Sequence, residues 1–167
     1  LNLMEQRGIH ANHQTYLWLL QGCVNSGSLI DAQKLHGRIL KLGFNGEHAI
    51  RSRLINVYAA LGDLDDAVKL FDNLSDTSVS TWNVLISGFV GMKLTSQVLG
   101  LFSRMLEENV IPDEITFAYV LRACIGDKVS FWYVEQIHAK IIHLGFGSSP
   151  RVCNPLIDLY SKSGLVD

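Results

Sequence analysis

The chain has 167 residues, of which 48% are hydrophobic and 18% charged, a composition typical of a soluble globular protein and too apolar for a disordered one. Its 14 basic and 16 acidic side chains give a formal net charge of −2, which excludes the basic excess usual in proteins that bind duplex DNA. The longest uncharged stretch, residues 8–30, contains His, Asn, Gln and Ser, so no membrane span is predicted.

The cysteines indicate the redox compartment of the protein, and the two chain ends indicate whether the sequence is a piece of a longer one. Cys23, Cys124 and Cys153 are an odd number without a C-x-x-C pair, which argues against a disulfide framework and a four-cysteine zinc site and favours a reducing compartment. The chain has no initiator Met and no signal-peptide pattern, and both ends fall inside helical patterns. We therefore expect a piece of a longer protein.

Helical periodicity interrupted by turn-forming residues predicts a series of helical hairpins. The breaks fall at 25–27, 43–46, 62–63, 75–78, 111–113 and 145–150. The second helices carry apolar residues at helical spacing: Leu35, Ile39 and Leu42; Leu64, Ala67 and Phe71; Val98, Leu101, Phe102 and Met105. Because one hairpin cannot bury both of its faces, neighbours must stack, and the sequence predicts an all-α solenoid.

An internal repeat supports this prediction. The segment TYLWLLQGC (15–23) recurs as TFAYVLRAC (116–124), 101 residues later. KLHGRILKLGF (34–44) recurs as QIHAKIIHLGF (136–146), and RLINVY (53–58) recurs as PLIDLY (155–160), both 102 residues later. Each long period contains three hairpins of unequal length.

These segments resemble the pentatricopeptide repeat (PPR) family, in the plant subclass that alternates P, L and S repeats. TWNVLISGF (81–89) with VIPD (110–113) is similar to a P repeat, the two duplicated segments are similar to L repeats, and RLINVYAALGDLDDAVKLFDNL (53–74) is similar to an S repeat. The resemblance implies a right-handed α-solenoid of helix-turn-helix repeats. Tetratricopeptide repeats are excluded by their constant length of 34 residues and by the Trp82-Asn83 pair.

The resemblance also implies a register for the repeats within one solenoid domain. The expected segments are the end of a P repeat (1–12), an L repeat (13–47), an S repeat (48–78), a P repeat (79–113), an L repeat (114–149) and the first helix of an S repeat (150–167).

In this family one repeat is expected to read one RNA base. The fifth residue of the first helix, which we call the reading residue, contacts the base edge, and the last residue of the repeat steers it. The implied pairs are Leu17 with Glu47, Ser52 with Ser78, Asn83 with Asp113, and Ala118 with Ser149, flanked by Asn12 and Asn154.

The Asn83 and Asp113 pair is the family combination associated with uracil and, less strongly, with cytosine. Leu17 and Ala118 have no polar side-chain atom, so both L repeats are expected to discriminate poorly. Ser52 with Ser78 departs from the family pattern. The second residue of each repeat is expected to flank a base: Gln14, Ala49, Ser80, Ile115 and Arg151. With few cations beside these positions, affinity for RNA is expected to be no better than roughly micromolar.

The other candidate residues are better explained by packing than by metal binding or catalysis. His36 and His138 lie at equivalent places in two hairpins, as do Cys23 and Cys124, so both sets are interpreted as core rather than metal ligands. The H-x-E and C-x-x-C signature of a nucleobase deaminase is absent. Neither the motifs nor the resemblance implies a cofactor, a metal or catalysis by this chain.

The aromatic residues leave two interpretations open. Trp18, Trp82, Trp132 and Tyr133 are candidate base-stacking platforms. Trp82 is better explained as core between repeats, whereas for Trp132 and Tyr133 an exposed partner surface and ordinary burial are equally compatible with the sequence.

Two functional hypotheses follow. The first is a sequence-specific single-stranded RNA-binding module of an organellar RNA-processing factor, in a mitochondrion or chloroplast, with C-to-U editing as the process and any deaminase-like domain further toward a C-terminus. The second is a protein-binding scaffold, in which the L repeats recruit an editing cofactor protein or terminal repeats pair in a homodimer.

Overall fold

The computed structural model describes residues 6, 8, 11–75, 77–125 and 129–162. Within these residues the regular structure is helical, without strands, and none of the helices is long and apolar enough to cross a membrane. The α-helices are α1 (His13–Ser26), α2 (Leu29–Lys41), α3 (His48–Ala60), α4 (Leu64–Asp72), α5 (Val79–Gly91), α6 (Thr95–Glu107), α7 (Glu114–Ile125), α8 (Phe131–His143) and α9 (Pro150–Lys162), with a short 3-10 helix at Phe44–Gly46.

The chain divides into two compact units, Leu1–Thr77 and Ser78–Asp167. In the first unit, α1 packs against α2 and α3, and α3 packs against α4. In the second unit, α5 packs against α6 and α7, and α7 packs against α8 and α9. Within each unit the first helix of one hairpin therefore packs against the first helix of the next, and the all-α hairpin-repeat fold is confirmed.

The first helices supply much of the core in both units. On α1 the buried residues are Tyr16, Leu20 and Cys23, and their counterparts on α7 are Phe117, Leu121 and Cys124. Both cysteines carry free thiols. Their burial among apolar side chains confirms that these cysteines are core residues.

The duplicated segments make the same polar contact in each unit. His36 Nδ1 lies 2.9 Å from the Tyr58 hydroxyl, and His138 Nδ1 lies 2.9 Å from the Tyr160 hydroxyl. Both ring pairs meet edge to face. Each histidine therefore joins the second helix of one hairpin to the first helix of the next, so its role in packing is confirmed.

The L-G-F segments end the second helices in the same way. Gly43 and Gly145 follow α2 and α8 with φ of 77° and 82°, a left-handed conformation that glycine adopts without a steric penalty. This turn also corrects one expectation. Leu42 was predicted to belong to the apolar stripe of α2, but it lies at the helix C-cap and is 55% exposed, because the chain leaves the helical path there.

The helix starts agree with the expected register. Helices α1, α3, α5, α7 and α9 begin at His13, His48, Val79, Glu114 and Pro150, the first residues of the expected repeats. Most of the expected P-repeat end at 1–12, and residues 163–167 of the last repeat, lie outside the described residues. The repeat boundaries remain a proposal that these helix starts support.

The His36 and Tyr58 pair predicts a pH-dependent stability. Burial lowers the pKa of His36, and the Asp66 carboxylate raises it and offsets part of this effect. The unfolded chain, with a histidine pKa of about 6.5, therefore binds the proton more tightly, so stability is lost as the pH falls below that value. We expect the urea midpoint to fall more between about pH 7.5 and about pH 5.5 in the unsubstituted chain than in His36→Gln.

The control for this measurement is His143→Gln, which removes an exposed histidine outside the hydrogen-bonded pair. Its pH dependence should match that of the unsubstituted chain. If the urea midpoint depended on pH equally in His36→Gln and in the unsubstituted chain, the lowered pKa assigned to His36 would be contradicted.

Candidate nucleic-acid interface

The last residues of the expected repeats lie at helix N-caps. Asn12 Oδ1 accepts the Thr15 N–H at 3.0 Å, and Ser78 Oγ accepts the Thr81 N–H at 3.3 Å. Asp113 Oδ1 accepts the Thr116 N–H at 2.8 Å. A short polar side chain in this position satisfies a backbone donor that the helix leaves free, which explains why Asn, Ser and Asp end these repeats.

Asp113 also holds the reading residue of its own repeat. The Asn83 Nδ2–H donates to Asp113 Oδ1 at 3.0 Å, and the Thr116 hydroxyl donates to Asn83 Oδ1 at 2.7 Å. The side chain of Asn83 is nearly buried, at 6% exposure, and Asp113 is partly exposed. The expected juxtaposition of Asn83 and Asp113 is thus present, in a network joining the starts of α5 and α7.

The charge of Asp113 determines how the Asn83 amide is oriented. Burial raises the pKa of the Asp113 carboxyl, but hydrogen bonds from the Thr116 backbone, the Asn83 amide, the Thr116 hydroxyl and the Ile115 backbone together lower it below its ordinary value. The carboxylate is therefore ionised at neutral pH and can only accept hydrogen bonds. The Asn83 atom that faces it must be the nitrogen.

Two exposed side chains flank this network. Ser80 lies in the first turn of α5 and Ile115 in the first turn of α7, and these helices pack against each other. Ile115 is 40% exposed, and Ser80 Oγ lies 2.8 Å from Ser78 Oγ. The first turns of the two helices that carry the network therefore expose an apolar side chain on α7 and a hydroxyl on α5.

The next repeat has a different arrangement around Ala118. The Ser149 hydroxyl donates to Glu114 Oε1, and the Arg151 guanidinium lies 3.9 Å from Glu114 Oε2. Ala118 is partly exposed and has no polar side-chain atom. Both expected polar partners of this repeat thus contact Glu114, while Asn154 of the following helix is exposed.

The expected residues of the first unit are not joined by a comparable network. Leu17 and Glu47 are partly exposed, and Glu47 lies at the N-cap of α3 without a side-chain capping bond. Ser52 Oγ lies 3.4 Å from His48 Nε2. Ser52 belongs to the first unit and Ser78 to the second. The flanking residues Gln14 and Ala49 are exposed.

The structure separates the four aromatic candidates. Trp82 is fully buried, as expected for a core residue, whereas Trp18 is 70% and Trp132 is 63% exposed. Tyr133 is partly buried, and its hydroxyl lies 2.9 Å from Ser103 Oγ. Of the two interpretations left open, exposure therefore holds for Trp132 and burial for Tyr133.

Two residues of the interface were missed by sequence reasoning. No side-chain contact of Thr116 or of Glu114 was predicted from the sequence. The spacing of three residues between Asp113 and Thr116 signals a capping contact. The residue pattern within one helix does not indicate that Thr116 also reaches Asn83, 33 positions earlier.

Fold and interface together define a helical-repeat protein whose hairpins place capping residues beside side chains of the preceding first helix. The model of the PPR repeat family matches residues 77–126, and a second model, PPR repeat, matches residues 52–76. Residues 52–126 of the chain are therefore similar to repeats of this family.

Relatives among curated proteins agree. The chain is 32% identical over 161 residues to the pentatricopeptide repeat-containing protein At3g20730 of Arabidopsis thaliana, covering 96% of this chain and 28% of the relative. It is 31% identical to the CRR2, chloroplastic, protein and 30% identical to the At4g32430, mitochondrial, protein of the same plant, covering 93% and 96% of this chain. The chain spans 24% and 21% of those two relatives.

Solved structures match the fold. The pentatricopeptide repeat protein PPR10 from maize superposes with a TM-score of 0.60 at 18% identity, covering 95% of this chain and 28% of that one. PPR10 in complex with an 18-nt psaJ RNA element gives a TM-score of 0.63 at 16% identity, covering 100% and 30%.

The double role of Asp113 predicts an unusually costly substitution. Asp113→Ala removes the cap of α7 and leaves the nearly buried Asn83 amide without its acceptor, so we expect it to lower the free energy of unfolding by about 2 to 3 kcal/mol. Ser78→Ala removes a helix cap in the same unit but leaves no nearly buried amide without an acceptor, so it should lower the free energy of unfolding by about 1 kcal/mol. Urea denaturation checks both values, and equal losses would contradict the role assigned to Asp113.

Proposed function

We propose that the chain is a sequence-specific single-stranded RNA-binding module of an organellar RNA-processing factor, with C-to-U editing as the process. The observation that carries this proposal is the network of Asn83, Asp113 and Thr116 beside the exposed Ile115. It presents an oriented amide next to an apolar side chain, the combination that recognises the edge and the face of an unstacked base.

The comparisons support the proposal in two respects. PPR10, whose fold the chain shares, has been crystallised with an 18-nt RNA element. Relatives that the chain matches over more than nine-tenths of its length are named as chloroplastic or mitochondrial proteins. An organellar RNA is accordingly the proposed ligand, and the chain supplies recognition without catalysis. A deaminase-like domain elsewhere in a longer protein would carry out the editing chemistry.

The repeats contribute unequally to recognition. The P repeat at 79–113 is the proposed pyrimidine reader, with uracil preferred over cytosine. In the L repeat at 114–149, Ser149 contacts Glu114, as does Arg151 of the next repeat, and Ala118 offers no side-chain hydrogen bond, so this repeat accommodates a base without selecting it. Leu17 likewise offers no side-chain hydrogen bond in the first L repeat. Ser52 with Ser78 departs from the family pattern, so no base is assigned to this pair, and none is assigned to Asn12 or Asn154.

The proposed RNA affinity of the chain is modest. Arg122 is the one cation among the positions one turn beyond the reading residues, Gln21, Asn56, Ser87, Arg122 and Asp158. It is exposed, with its guanidinium 5.8 Å from the Tyr119 ring centre. Because affinity for the RNA backbone grows with the number of such cations, we expect a Kd of roughly micromolar and a shallow dependence on salt.

A titration with oligonucleotides that differ at one base tests the proposed reader. Asn83→Ala removes the amide proposed to contact that base, so the preference for a pyrimidine should fall by about tenfold, the equivalent of one hydrogen bond. Fluorescence anisotropy at low salt measures this preference. Gln97→Ala, which removes an exposed amide from α6, is the matched control and should keep the preference. Binding without any base dependence in the unsubstituted chain would contradict the proposal.

A second candidate function, protein binding through the L repeats, is favoured by a different observation. Large apolar side chains are exposed at equivalent positions on the second helices of both L repeats. They are Ile30 (65%) and Leu40 (50%) on α2, and Trp132 (63%) and Ile142 (59%) on α8. Repetition of exposed apolar residues indicates a surface kept free for a partner, either an editing cofactor protein or a second copy of the chain.

Sedimentation velocity separates these partners. If the surface mediates self-association, the sedimentation coefficient should rise with concentration, and Ile30→Ser combined with Trp132→Ser should abolish the rise. If it binds a cofactor, the chain should remain monomeric and co-sediment with a purified organellar editing cofactor, and the double variant should not. A monomer that co-sediments with no such cofactor would contradict this candidate.

A further inference from the structure

We propose that Thr116 is a positioning residue that acts together with the Asp113 carboxylate to set which hydrogen-bonding group Asn83 presents to RNA. This inference rests on the proposed function. It assigns part of the base selectivity of the P repeat to a residue of the repeat that follows. Thr116 is fully buried, so it acts on the base only through Asn83.

The hydroxyl of Thr116 lies at the centre of the network. Its single proton lies between two acceptors, Asn83 Oδ1 at 2.7 Å and Asp113 Oδ1 at 2.9 Å, and its oxygen accepts the Asp113 backbone N–H at 3.2 Å. The amide of Asn83 is therefore held at both ends, its oxygen by a hydroxyl and its nitrogen by a carboxylate. The carboxylate can only accept, so it fixes the nitrogen, and the proton that Thr116 directs at the amide oxygen favours the same orientation.

The count of hydrogen-bonding groups shows what remains for a base. Of the two N–H groups of the Asn83 amide, one is used by Asp113 and the other is left. Of the two acceptor positions on its oxygen, Thr116 occupies one. Rotation of the amide by half a turn would place Asn83 Oδ1 against the Asp113 carboxylate and Asn83 Nδ2 against the proton that Thr116 donates. Both contacts would be repulsive. The orientation that keeps an N–H available is therefore selected before RNA arrives.

The sequence carries a pattern that agrees with this role. In the proposed register, the third residue is buried in the repeats that begin at 48, 79, 114 and 150, and its polarity matches that of the reading residue in the repeat before it. The pairs are Asn83 with Thr116, Ser52 with Thr81, Leu17 with Ile50, and Ala118 with Val152. The third residue thus carries a hydroxyl where the reading residue of the preceding repeat is polar, and an aliphatic side chain where it is apolar.

The test is a double-mutant cycle in the 167-residue chain. Thr116→Val keeps the shape of the side chain and removes the hydroxyl, so the preference for a pyrimidine over a purine at the Asn83 base should fall by about fivefold. Thr116→Ser keeps the hydroxyl and should retain the preference. In the Asn83→Ala background, Thr116→Val should change the preference no further. Circular dichroism and urea denaturation establish that each variant folds.

A measurement without RNA keeps this inference separate from the proposed function. In NMR spectra of the free chain, the side-chain amide signals of Asn83 should shift strongly in Thr116→Val and little in Thr116→Ser. Unchanged Asn83 signals in Thr116→Val would overturn the inference. So would a pyrimidine preference that Asn83→Ala abolishes and Thr116→Val leaves intact, and this result would leave the proposed function standing. An unsubstituted chain without base preference would instead count against the proposed function alone.

Discussion

The rest of the structure depends on the need of each hairpin to cover two apolar faces. A first helix such as α7 packs against its own second helix and against the first helices before and after it, which buries Phe117 and Leu121 completely. Burial of this kind is the main favourable contribution to folding. It also brings the first turns of successive first helices together, so residues 30 or more positions apart in the sequence, such as Asn83 and Asp113, come into contact.

The capping interaction of Asp113 fixes the geometry of its contact with Asn83. The carboxylate of Asp113 is needed at the start of α7 whether or not RNA is bound, because the Thr116 N–H has no partner within the helix. The same oxygen holds the Asn83 amide. In the proposed function, recognition is therefore organised in advance by an interaction that already stabilises the fold, and such preorganisation lowers the entropic cost of binding.

The same architecture allows repeats to differ in what they offer. Around Ala118 the polar groups at the start of the next helix contact Glu114, and the reading position is apolar. The second helices α2 and α8, in contrast, expose Ile30 and Trp132 at equivalent places. The hairpins thus differ in their surfaces, with a polar network around Asn83 and exposed apolar side chains on α2 and α8.

The sequence by itself determined the fold class, because apolar periodicity, turn residues and a long internal repeat can be identified without coordinates. The expected register of the hairpins and the pairing of Asn83 with Asp113 followed from the resemblance to a known repeat family. The sequence left Trp132 and Tyr133 undecided and placed Leu42 wrongly, since adjacent residues on a helix face different surroundings. Only the tertiary structure decided that Thr116 reaches Asn83 and that Glu114 contacts Ser149 and Arg151. Such hydrogen bonds depend on distances between helices, which the spacing of residues along one helix does not specify.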